Sequence, residues 1–143
     1  MKTRMITAVL IFFIAASVLT AGSSKKMMTI DEAMEIVCGT WINTDYSGTP
    51  CQRAVFHSDE TYELFIKVSD TTPVYTWVYT IKEAWTDRNG NIWMKTTSTQ
   101  YDVPKQIYKI SNSGTVLEIA SFAGTWPEIE EIDSFRVIYY RQE

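Results

Sequence analysis

Residues 74–100 read VYTWVYTIKEAWTDRNGNIWMKTTSTQ, and this stretch decides the fold. Tyr75, Trp77, Tyr79 and Ile81 alternate with Thr76, Thr80 and Lys82, which is the period of two that a half-buried strand writes into its sequence. Asp87-Arg88-Asn89-Gly90-Asn91 then interrupts the alternation with the Asn-Gly signal of a tight hairpin. Ile92 to Gln100 resumes it. The stretch predicts a strand over 74–85, a turn, and an antiparallel strand over 92–100.

Outward from this hairpin the same pattern holds in both directions. Strands are expected at 40–46, 52–57 and 61–68 on one side, and at 105–111, 115–121 and 134–141 on the other. Ser58-Asp59, Asp70-Thr71-Thr72-Pro73 and Asn112-Ser113-Gly114 supply the turns between them. Eight Tyr, six Phe and five Trp, many beside Thr, Val or Ile, favour strand over helix through this region. Eight sequential strands on hairpin-length turns make an up-and-down meander, which closes most readily into an all-β antiparallel barrel and so removes both sheet edges. A two-layer sandwich is the alternative, but it needs long crossing connections, and only 123–133 is long.

Before the first strand the period is helical. Thr29 and Glu32 have the spacing of a capping box, Ala33, Met34, Ile36 and Val37 follow at helical intervals, and Gly39 stops the run. One short helix over about 30–37 is expected, after a flexible polar leader at 23–28.

Residues 1–22, MKTRMITAVLIFFIAASVLTAG, place Lys2 and Arg4 ahead of an apolar run from Ile6 to Val18 and then small residues. These are the three regions of a secretory signal peptide, and the run is too short for the ~20 residues of a membrane-spanning helix. An uncleaved N-terminal anchor is the alternative reading. Ser23 stands where a lipid-carrying cysteine would be, so no lipid anchor is expected. The protein is therefore expected in the periplasm or outside the cell, with residues 29–143 as one barrel domain. Removing Lys2 and Arg4 takes 13 basic residues to 11 against 17 acidic ones, and the formal charge from −4 to −6. An acidic chain of this size is not expected to be a basic nucleic-acid binder.

Cys38 and Cys51 remain after export. An even pair in an oxidising compartment reads as a disulfide. A redox or metal-binding pair is the other reading, but no Cys-x-x-Cys is present and His57 is the one histidine.

Val37-Cys38-Gly39-Thr40-Trp41 joins the helix to the first strand. A short helix followed by Gly-x-Trp at the start of an eight-stranded meander resembles the lipocalin-like proteins of the calycin group. The resemblance rests on Gly39 and Trp41, and it implies that Trp41 closes one end of the barrel with an arginine of the last strand across its ring. Arg136 and Arg141 are the two candidates. Both are structural in this reading. A second Gly-Thr-Trp at 124–126 is followed by Pro127, so it reads as a chance copy or a loop tryptophan covering one mouth.

Alternation assigns an inward set that includes Leu64, Ile66, Trp77, Tyr79, Met94, Tyr108, Leu117 and Ile119. Rings with polar tips suit a small apolar or amphipathic ligand, and these eight residues are the candidate pocket lining. Equally, they can simply fill the barrel, leaving an envelope or secreted interaction or inhibitor module that works through its outer face. Phe65 and Trp93 face outward and would favour that reading if they lay side by side. An enzyme is the third class. No nucleophile triad or glycine-rich phosphate loop is present, and Glu128, Glu130, Glu131 and Asp133 lack the spacing of a calcium loop. No cofactor, metal, nucleic acid or stable membrane insertion is expected; the expected partner is a small hydrophobic or amphipathic ligand.

Overall fold

The helix forms where its cap is. In the computed structural model, which describes residues 25–45, 48–99, 105–126 and 137–143, α1 spans Ile30–Val37. The Thr29 hydroxyl accepts from the Glu32 N–H at 3.2 Å, and the Glu32 carboxylate accepts from the Thr29 N–H at 2.8 Å. Two of the helix's first orphan donors are thereby satisfied. Ala33 and Val37, one turn apart, are buried on the face that meets the sheet.

A two-residue strand, β1 (Lys26–Met27), precedes the helix, inside the segment read from sequence as a flexible leader. The eight expected strands follow as β2 (Gly39–Ile42), β3 (Arg53–Phe56), β4 (Thr61–Phe65), β5 (Tyr75–Thr86), β6 (Ile92–Ser98), β7 (Lys105–Ile110), β8 (Val116–Phe122) and β9 (Val137–Arg141). Each pairs antiparallel with the next, and β9 returns to β2 through Trp41↔Arg141 and Ile42↔Tyr140. The result is a closed eight-stranded antiparallel barrel. β4 covers β5 only from Tyr75 to Val78, and β1 takes up the far end of β5, where Lys26 and Met27 face Thr86 and Trp85.

Two departures from regular alternation decide which side chains point inward. The register of β5 slips between Ile81 and Glu83, so Lys82 and Glu83 stay outside while Ala84 takes the inward position. Strand β4 stops at Phe65 instead of running on to Val68. The Asp70 carboxylate accepts from the Lys67 N–H at 3.0 Å and folds the chain into a turn, while the Arg53 guanidinium donates to the carbonyls of Val68 and Asp70. Ile66, expected to line the interior, lies on this turn and is 45% exposed.

Cys38 and Cys51 are free thiols, which corrects the expected disulfide. The β2–β3 ladder gives the reason. Gly39 faces Phe56 and Ile42 faces Arg53, so Cys38 sits at the His57 end of the hairpin and Cys51 beyond Arg53 at the other. Six residues of strand from Cys51 to His57 span about 20 Å, and bridged Cα atoms lie within about 7 Å. Closeness in sequence became distance along a strand.

Candidate functional site

The strand directions give the barrel two unlike ends. At one, the turns 57–60, 87–91 and 111–115 are short and α1 is packed nearby. The other carries the longer connections 43–52, 66–74, 99–104 and 123–136.

The helix end is sealed. Trp41 is fully buried, its indole N–H donates to the Val37 carbonyl at 2.9 Å, and the Arg141 guanidinium lies 4.2 Å over its ring. Arg141 also donates to the carbonyls of Ile36, Cys38 (3.2 Å) and Gly114 (2.9 Å). Helix α1 has no basic residue in its last turn, and this arginine from β9 satisfies its terminal carbonyls instead. Gly39 has φ +130°, a conformation that L side chains rarely adopt, and a Cβ there would stand 3.1 Å from the guanidinium, which would have to give by a few tenths of an ångström. Of the two candidate arginines Arg141 makes the contact; Arg136 lies outside the described residues, as does the acidic group 128–133.

Above this floor the interior is occupied by its own rings. Phe56 stacks on Tyr62 at 5.2 Å and meets Tyr79 and Tyr108 edge-on at 5.3 and 5.7 Å. The Tyr79 hydroxyl lies 3.0 Å from the His57 carbonyl and 2.9 Å from the Met34 sulfur. Leu64, Tyr79, Met94, Tyr108 and Leu117 are buried members of one core, with Trp77 and Ile119 half-buried against it. Seven of the eight expected lining residues therefore come together, but mostly as filling. Ile66 is the exception, on the turn outside.

The loop end differs. Tyr75 and Trp77 keep inward parity, stack at 4.9 Å, and Tyr75 is nevertheless 46% exposed. Trp77 touches the buried Tyr62 edge-on at 5.6 Å, so this ladder of rings runs from solvent into the core. Across the barrel the inward positions of β6, β7 and β8 near the same end are polar: Ser98, Gln106 and Ser121. The Tyr62 hydroxyl is 3.0 Å from Ser98 Oγ, the Gln106 amide donates to Ser121 Oγ at 3.2 Å, and the Tyr108 hydroxyl donates to Gln106 Oε1 at 2.8 Å. Burial pushes the Tyr62 phenol up to about 12, against the smaller opposite effect of its hydrogen bonds, and raises Tyr108 as well. This polar wall was missed from sequence. Its signal was there: alternation from Met94 puts Thr96 and Ser98 inward, and alternation from Tyr108 puts Gln106 inward.

The outer face has a core of its own. Trp85 and Trp93 stack at 6.4 Å over Ile107 and Ala120, with Phe122 and Trp126 at the margin. Lys25 lies 3.9 Å over Trp85, Lys109 5.3 Å over Trp93 and Lys105 5.0 Å over Trp126. The second Gly-Thr-Trp thus belongs to the outside wall, not to a mouth. Phe65 is covered by Arg53 at 3.8 Å. It adjoins the Tyr75 end of β5, and Trp93 pairs with Trp85, ten residues or about 33 Å along that strand, so the two do not lie side by side.

His57 pairs with Glu63 at 2.9 Å on the surface. Among the described residues no three His, Cys, Asp or Glu side chains form a metal-binding group, and no helix is long and apolar enough to cross a membrane. Comparison with known proteins returns no matching family model, curated protein or solved structure.

Proposed function

We propose that this is an exported, lipocalin-like carrier that holds a small apolar or amphipathic ligand at the loop end of its barrel rather than through its whole depth. The observation that carries the reading is the Tyr75–Trp77 ladder, inward in parity yet open to solvent above a filled core. Stacked rings at the barrel end offer a ligand apolar area at little entropic cost, since each has only two side-chain torsions to fix. The meander with Gly39, Trp41 and Arg141 supports the calycin likeness, and residues 1–22 support export with cleavage near Ser23.

The test is a titration with Nile red, an uncharged apolar dye. Saturable micromolar binding that quenches tryptophan emission, and that Trp77→Ala weakens at least about tenfold, is the expected outcome. N-terminal sequencing of protein recovered outside the cytoplasm checks the export. Failure of Nile red to bind saturably ends the carrier reading.

The second reading is an interaction module with a filled barrel. It is favoured by Ile66, Val74 and Val78, three aliphatic side chains of β5 and the connection before it that stand exposed to solvent.

A further inference from the structure

Whatever the loop end holds, we infer that the outer face of β5–β8 docks on an anionic lipid surface. Charge is unevenly shared around the barrel. Among the described residues, 28–79, which hold α1 and β2–β4, carry eight carboxylates against Arg53 and Lys67. Described residues 80–122 reverse the balance, with five basic side chains against Glu83, Asp87 and Glu118, and Lys25 joins them through β1. In the order of the ring β3 and β4 lie across from β7 and β8, so the surface changes sign from one side to the other. Four of the cations share one wall. Lys25 and Lys95 lie over the Trp85 ring at 3.9 and 5.9 Å, Lys109 over Trp93 at 5.3 Å and Lys105 over Trp126 at 5.0 Å. Lys25 and Lys95 share the Glu83 carboxylate and Lys109 pairs with Glu118, while Lys105 meets no carboxylate among the described residues.

Two further observations make lipid the occupant. Apolar side chains border the lysines: exposed Met27, opposite Trp85, on one edge, and half-buried Phe122 and Trp126 on the other. Ammonium groups beside aromatic and aliphatic ones match the bilayer boundary, where phosphates meet acyl chains. A nucleic acid or an acidic peptide would satisfy the lysines but leave those edges unused. The chain also leads this wall to lipid. The apolar run Ile6–Val18 ends seven residues before Lys25, and seven residues reach at most about 25 Å fully extended. While that run lies in a bilayer, Lys25 cannot stray far from the headgroups, and the acidic side of the barrel is turned away from them.

Vesicle co-sedimentation is the test. All the described elements lie between Lys26 and Arg141, so it uses the chain from Ser23 onward, free of the apolar run. Vesicles of equal parts phosphatidylcholine and phosphatidylglycerol are expected to bind it at least about tenfold more tightly than phosphatidylcholine alone, and to release it as salt rises. Lys105→Gln, which breaks no described ion pair, is expected to weaken that binding about fivefold with thermal unfolding unchanged, and Lys95→Gln, Lys105→Gln and Lys109→Gln together by more than about tenfold. Lys67→Gln, on the acidic side, is expected to change nothing. Equal binding to the two vesicle types, binding to neither, or the same loss from Lys67→Gln as from Lys105→Gln overturns the inference. So does tighter binding to soluble polyglutamate than to the mixed vesicles, which would make an acidic protein the partner. None of these outcomes bears on Nile red at the loop end, so the carrier reading stands or falls separately.

Discussion

Trp41 and Arg141 join the first and last strands of the ring, and most of what holds the helix end together passes through this pair. Trp41→Ala is expected to lower unfolding free energy by about 3–5 kcal/mol, measured by urea denaturation, because a fully buried indole leaves a cavity and Arg141 loses its platform. Arg141→Lys keeps the charge but cannot serve three carbonyls and a ring face at once, so it should destabilise as well. Gly39→Ala meets both the backbone strain and the guanidinium. The lock was legible because Gly-x-Trp and an arginine on the last strand are local signals. The cysteines were not, since spacing along the chain says nothing about which end of a hairpin each residue reaches. Mass spectrometry is expected to give identical masses for Cys38 and Cys51 with and without reductant. Both thiols titrate high because they are withdrawn from water.

Single elements respond to their caps and turns. Thr29→Ala removes the hydroxyl half of the capping box and should cost about 1 kcal/mol in the same denaturation assay. The Glu32 and Asp59 carboxyls are held low by hydrogen bonds, Glu32 from Thr29 and Asp59 from Thr61. Glu83 is held low first by its bond to Lys25. Asp87 is opposed by burial but ends low through Trp93, Asn91 and Asn89. Each of these carboxyls titrates lower folded than unfolded, so each adds stability above its ordinary value of 3.8 or 4.5 and loses it as pH falls through the folded value. Thermal scans from neutral pH downward should show the melting temperature falling once pH drops below about 4.5. Helix α1 and all eight barrel strands were readable from capping and alternation. Strand β1 was not, because two residues are too few to show a period, and its pairing depends on where β4 happens to leave β5. The early end of β4 was hidden too: it is imposed by Arg53 and Asp70, neither of which alters the alternation around Ile66.

Among the described residues the core packed above Arg141 is neutral at ordinary pH, and alkali should find its weakness. Tyr62 titrates near 12 when folded against 10.0 in the open chain, and Tyr79, Tyr108 and Tyr139 are raised in the same direction, all chiefly by burial. A raised acid stabilises fully below its unfolded value and loses that contribution as pH climbs to the folded one. Urea midpoints should therefore hold to about pH 10 and decline steeply towards 12, with phenolate absorbance appearing together with unfolding rather than before it.

The ring closes between β2 and β9, with two residue pairs and the Gln142 N–H donating to the Thr40 carbonyl at 2.9 Å. That seam sets a calendar for the newborn chain. A strand made early must wait for one made late, and until β9 arrives both β2 and β8 present bare edges to any neighbour. The barrel is thus slow to commit itself, since it closes only when strands about a hundred residues apart in the chain meet.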